Sequence, residues 1–205
     1  MILLLIASPA WGQRVEARDG SIYLIQEDQA EVQLTTGYED SDPSLSADGA
    51  KVAYVRSRKV DSPEASGRVY ELHVIHLASG DDQQVLATPF ELDGVTYSVL
   101  LGPKFSPDGE SIYFVFDWSV TTGGIAVLDL ATEELRFVVP ALGLPAVVYK
   151  GEYEGDLVVL QRRQKLSGIG NLILYYLFTP EGEEVGVIGD EPFDVGIFLQ
   201  DIVGQ

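Results

Sequence analysis

Pro43-Ser44-Leu45-Ser46-Ala47-Asp48-Gly49, followed by Lys51-Val52-Ala53-Tyr54-Val55, returns as Pro103-Lys104-Phe105-Ser106-Pro107-Asp108-Gly109, followed by Ser111-Ile112-Tyr113-Phe114-Val115. The second copy starts at 103 and the first at 43, an offset of 60. Pro43 and Pro103, Ser46 and Ser106, Asp48 and Asp108, and Gly49 and Gly109 stand at matching positions, and apolar residues follow in the same phase. A repeat on this scale decides the fold before any local reading does. Each Asp-Gly pair separates two apolar stretches, which is a hairpin signal. Gly reaches the positive φ of a short connection, and Asp bonds its own backbone locally. Pro107 fixes φ near the value a first turn position needs.

The stretches after the turns, 52–55 and 112–116, are apolar at every position rather than at alternate ones. A strand with one wet face alternates, so these strands are expected to be covered on both sides. Further strands are expected at 71–77 and 84–87 in the first unit, with a long polar loop over 57–69 between its second and third strands. In the second unit, a turn at 121–124 precedes strands at 125–130 and 135–139. Each unit is therefore a meander of four short antiparallel strands. A degenerate third unit begins at Leu144-Pro145-Ala146-Val147, carries Glu154-Gly155-Asp156 at its turn, and continues with strands at 157–160, 172–178 and 184–188. Its spacing is near the roughly 40–45 residues of one propeller blade; the inserted 57–69 loop accounts for the longer first interval.

The Pro, aromatic, Ser-Pro-Asp-Gly and apolar-strand order at 103–115 resembles the TolB-type, WD-repeat-like β-propeller repeat. The first copy departs from that pattern at Leu45 and Ala47. The resemblance implies an all-β fold, a small propeller of about four four-stranded blades. A lone strand pair at 21–26 and 30–34 opens it, and strand-forming residues at 193–203 end it. The propeller is then either incomplete or closed by pairing of its ends, as closure removes open sheet edges. It would be a monomer if closed and a dimer if open. No helix of convincing length is expected, and nothing divides residues 13–205 into two domains.

Thirteen basic and 32 acidic side chains give a formal net charge of −19. That argues against nucleic acid, whose phosphates need cationic surface. The absence of cysteine excludes disulfides and thiolate chemistry. Residues 1–12 carry no charge and resemble the end of a secretory signal, without its usual basic start. The apolar run is too short to span a bilayer. These features predict a periplasmic or secreted bacterial protein.

Catalytic motifs are scarce. His73 and His76 are three apart on an expected strand, so they point to opposite faces and cannot readily share one metal ion. There is no Gly-x-Ser-x-Gly elbow and no phosphate loop. Acidic pairs such as Asp81-Asp82, Glu133-Glu134, Glu183-Glu184 and Asp190-Glu191 lack calcium-loop spacing and read as solvated turns. No catalytic residue, metal or cofactor is assigned. One pattern stands out: Arg56, Arg58 and Lys59, and again Arg162, Arg163 and Lys165, follow the second strand of a unit, and Asp117 and Trp118 hold the equivalent place in the middle unit. Connections between second and third strands emerge on one face of a propeller, opposite the Asp-Gly turns. The expectation is a non-catalytic scaffold binding a protein or cell-envelope component there, which is also what the family resemblance implies. The alternatives are a small hydrolase or carbohydrate-active propeller using carboxylates, and a fragment of a longer propeller protein.

Overall fold

The computed structural model describes residues 12–36, 39–62, 65–164 and 170–203. The expected signal segment lies almost wholly outside the described residues, as does Lys165. Strands β1 (Arg14–Arg18), β2 (Ser21–Ile25) and β3 (Glu31–Gln33) form a three-stranded first sheet. The second comprises β4 (Glu39–Leu45), β5 (Lys51–Ser62), β6 (Ala65–His76) and β7 (Asp81–Ala87). A two-stranded hairpin, β8 (Phe90–Leu92) and β9 (Val95–Tyr97), follows. The third sheet is β10 (Leu100–Phe105), β11 (Ser111–Phe116), β12 (Gly123–Asp129) and β13 (Leu135–Ala141). The fourth is β14 (Ala146–Val147), β15 (Leu157–Gln164), β16 (Asn171–Phe178) and β17 (Glu184–Gly189), and helix α1 (Pro192–Val203) ends the described chain.

Every sheet is an antiparallel meander in sequence order. Successive sheets meet through their first strands, β1 with β4, β4 with β10 and β10 with β14. Those strands make the hub, and β3, β7, β13 and β17 lie toward the rim. This is the blade arrangement of a β-propeller.

The motif works as its chemistry dictates. Gly109 N–H donates to the Ser106 carbonyl at 2.9 Å, with Pro107 and Asp108 between and Gly109 at φ 70°. Ser106 Oγ donates to Asp108 Oδ1 and accepts from Ser111 N–H at 3.0 Å, so the loop satisfies its own polar groups. Ser46, Asp48, Gly49 and Lys51 repeat the same bonds. Lys51 Nζ adds a bond to the Gly109 carbonyl at 2.7 Å, tying the two motif turns together.

The apolar strands are buried on both faces. Val52 and Tyr54 of β5 pack with Ile22, Leu24 and Ile75 between the first and second sheets. Ala53 and Val55 share the next layer with Phe105, Ile112 and Phe114. Tyr113 and Ile125 meet Leu157, Val159, Tyr176 and Phe178 between the third and fourth sheets.

Three expectations need correction. The 57–69 segment is not a loop: β5 and β6 extend as one long hairpin, paired from Lys51↔His76 to Ser62↔Ala65. Polar side chains stand there because the hairpin outruns β4, whose last pair is Glu39↔Ser57, and so has little to bury against. Residues 192–203 are a helix rather than a strand, so they cannot zip onto 21–34. Val195, with Phe198 and Leu199, lies on the outward face of the fourth sheet against Val158 and Leu177. The opening pair of strands is a triplet, because β1 joins it through an Asp19-Gly20 turn with both φ positive, the two-residue geometry that matches strand twist.

Candidate interaction surface

A meander sends its connections alternately to two ends. The Asp-Gly turns and the connections after β6, β12 and β16 leave at one end. The far ends of β5 and β6, the end of β15 with the start of β16, the β11–β12 connection and the β8–β9 hairpin lie at the other, the loop face.

On the loop face, aromatic rings form a continuous chain. Phe90 and Tyr97 of the hairpin meet Phe116 edge-on, with centroids 5.9 and 4.5 Å away. Phe116 meets Phe137 at 6.2 Å, and Trp118 stacks on Phe137 at 5.7 Å with 21° between the planes. Trp118 is thus held flat while 42% of it stays exposed, and Val120 beside it is fully exposed. Gly124 permits this: a Cβ there would lie 2.6 Å from the Phe116 ring and 2.9 Å from Trp118 Cβ. Asp117 Oδ1 accepts from Ser98 and Val99 N–H, both at 3.1 Å, and so fastens the same connection to the chain entering β10.

Arg162 and Arg163 lie within β15 rather than in the connection after it. With Thr122, Pro140, Gln161 and Phe178 they line a groove of about 300 Å³ between the third and fourth sheets. Arg163 lies 3.9 Å above the Tyr176 ring, donates to Gln161 Oε1 at 2.7 and 3.0 Å, and pairs with Glu184 at 2.5 Å. Arg162 is exposed, and among the described residues no carboxylate pairs with it.

The first basic cluster is also in a strand, and it is largely neutralised. Arg56 forms a two-point pair with Asp40 at 2.8 and 3.1 Å and reaches Asp82 at 3.5 Å. Arg58 pairs with Glu71 at 2.7 Å. Arg68 opposes Lys59 across the hairpin and binds Glu39 and Ser57. Lys59 is exposed. The structure therefore brings Trp118 and the groove residues Arg162 and Arg163 to the loop face, while Arg56 and Arg58 hold the base of the long hairpin.

Sequence reading missed the polar network around His73. This buried side chain meets Asp82 Oδ1 through Nδ1 at 2.9 Å, and Glu71 Oε2 lies 3.6 Å from its Nε2. Tyr54 donates to Asp82 at 2.8 Å, and burial followed by that bond holds its phenol protonated far above the usual range. Lys104, on the hub strand β10, has its ammonium pKa lowered by burial, against the pull of Asp42. Among carboxyls, burial and then Glu181 raise Asp156, whereas hydrogen bonds lower Asp48, Asp108 and Asp129. No described helix is long and apolar enough to cross a membrane.

No protein-family model matches the chain, and no curated protein does. Solved structures do. TolB from Acinetobacter baumannii superposes with a TM-score of 0.59 at 14% identity, over 92% of this chain and 44% of that one. Dipeptidyl peptidase 4 from Porphyromonas gingivalis gives 0.57 at 14%, over 88% and 31%. The β-propeller domain of the Trilobed protease from Pyrococcus furiosus, a propeller of open velcro topology, gives 0.50 at 18%, over 75% and 43%. At these identities the likeness is one of fold, a TolB-like β-propeller. The chain spans less than half the length of each of these structures.

Proposed function

We propose that this chain is a non-catalytic, exported propeller that binds a protein or cell-envelope component through its loop face. The observation that carries the reading is Trp118, stacked on Phe137 yet 42% exposed beside the fully exposed Val120. An aromatic ring fixed before contact loses little entropy on binding, and Trp and Arg are over-represented among the residues that dominate interfaces. Arg162 and Arg163 border a groove on the same face, and the exposed Lys59 stands on the β5–β6 hairpin of the second sheet. The resemblance of residues 103–115 to the TolB-type repeat implies a scaffold role in the envelope, and the signal-like residues 1–12 agree with export.

Site-specific photocrosslinking in cells tests this. A crosslinker at Val120 is expected to trap a discrete partner, and the Trp118→Ala background is expected to abolish the product. The same crosslinker at Ser79, at the opposite end of the meander, is expected to trap nothing comparable. Equal products from Val120 and Ser79, or products indifferent to Trp118, would overturn the reading. An export reporter fused after residue 205 tests the compartment: activity confined to the cytoplasm refutes export.

A further inference from the structure

The fourth sheet ends at β17, which pairs with β16 on one side only. Its Val185 and Val187 are 45% and 57% exposed, two residues apart on an edge strand. Natural edge strands are commonly blunted by lysine, proline or a covering segment. This one carries neither lysine nor proline; its ladder with β16 shifts register twice, and α1 packs against it while leaving both valines exposed.

Beside the strand runs a groove of about 380 Å³. Tyr153, Leu177, Val187 and Ile188 line it from the sheet side, and Ile197 and Phe198 from α1. It passes over the strand edge, because Val187 pairs with the inward-facing Tyr176 whereas Leu177 and Phe198 belong to the outward layer.

Charge around this groove is mostly acidic, Lys150 and the Glu184-paired Arg163 being the cations of the flanking segments. From residue 171 to residue 205 there are seven carboxylates and not one Lys, Arg or His. Asp194 lines the groove itself, held by the Glu191 N–H at 3.2 Å. Glu152 and Glu154 flank Tyr153, and Asp190 and Glu191 connect β17 to α1; all four are exposed. Glu184 is matched by Arg163, and no other of the described carboxylates in this stretch has an ion-pair partner.

We propose that this groove docks an extended segment of another protein, apolar at alternate positions and bearing lysine or arginine between them, which adds to the edge of β17 as a further strand. Strand addition obtains its affinity from main-chain hydrogen bonds and its specificity from pockets for alternate side chains. The exposed valines and the aromatic floor accept the apolar side chains. The carboxylate rim accepts the cations and raises their arrival rate, an effect that salt screens. A second copy of this chain is a poor occupant, since it would bring the same carboxylates and a net charge of −19 to the contact.

The test uses two synthetic eight-residue peptides, one alternating valine with lysine and the other valine with glutamate. Titration calorimetry on the intact chain is expected to show the lysine peptide binding at least tenfold tighter. That binding should weaken several-fold between 50 mM and 500 mM salt, and Val187→Lys should abolish it. Equal affinity for the two peptides, no binding of either, or binding unaffected by Val187→Lys would each overturn the proposal. So would sedimentation showing a dimer that Val187→Lys dissociates, because the occupant would then be a second copy. The Val120 crosslinks report on the other surface, so failure of either idea is read independently.

Discussion

Asp40→Ala strikes the base of the long hairpin. The Asp40 side chain is wholly buried and accepts two hydrogen bonds from Arg56, whose own side chain is 12% exposed. Removing one partner of a buried pair costs about 3–5 kcal/mol, because the other charge stays desolvated. Here Arg56 keeps Asp82 at 3.5 Å and the face of Tyr54 at 5.3 Å, so the low end applies, about 3 kcal/mol. For a chain of this size each kcal/mol shifts Tm by about 2–4 °C, so the midpoint should fall by about 6–12 °C. Circular dichroism melts and urea titrations of the wild type, Asp40→Ala, Arg56→Met and the combined Asp40→Ala/Arg56→Met variant measure it. The combined variant should lose less than Asp40→Ala alone, since neither charge is then left orphaned. A loss below about 1 kcal/mol for Asp40→Ala, or strict additivity in the cycle, would refute the idea that this pair anchors β4 to β5.

Two further outcomes follow from the turns. The Asp48 and Asp108 carboxylates are held below the usual aspartate value, first by the Ser46 and Ser106 hydroxyls and then by backbone N–H groups. A depressed native pKa stabilises the fold above the unfolded value of about 3.9, and that contribution is lost as pH falls through the lower native value. Ser46→Ala/Ser106→Ala should therefore flatten the decline of the urea midpoint between pH 5 and about pH 2, and an unchanged acid limb would count against the assignment. Gly182 has φ 88°, and a Cβ there would sit 2.5 Å from the Val138 carbonyl oxygen of the neighbouring sheet. Gly80 has φ 76° with nothing near. Gly80→Ala should cost about 1–2 kcal/mol from backbone strain, and Gly182→Ala clearly more in the same denaturation assay.

The motif turns and most blade strands were legible because local chemistry produces them. Pro107, Asp108 and Gly109 close their loop with bonds reaching no farther than Ser111. The β8–β9 hairpin carries the same kind of signal, Asp93-Gly94 with both φ positive, but it lies between the two copies of the repeat, where the repeat pattern itself assigns no strand. With the long β5–β6 hairpin, it accounts for the 60-residue offset between the two motif copies. Helix α1 was obscured because its Val and Ile residues favour strands. Its buried Val195 and the packed Phe198 and Leu199 do keep helical spacing, and Pro192 suits a first helical turn. The neutralisation of Arg56 and Arg58 was not legible. Their carboxylate partners are 13 to 26 residues away and meet them only through strand register.

The staple from Lys51 to the Gly109 carbonyl has a counterpart one sheet along, where Arg136 Nη2 donates to the Pro180 carbonyl at 2.9 Å. Each joins one sheet only to its immediate successor, as do the apolar layers. Cooperativity in such a molecule passes from neighbour to neighbour, as in a linear array. The third sheet has a staple and a packed layer on each side, whereas among the described residues the first sheet, three strands wide, packs against the second alone. Native-state hydrogen exchange should therefore report a gradient, slowest in β11 and β12 and fastest in β1 to β3, instead of a single opening energy for the whole chain.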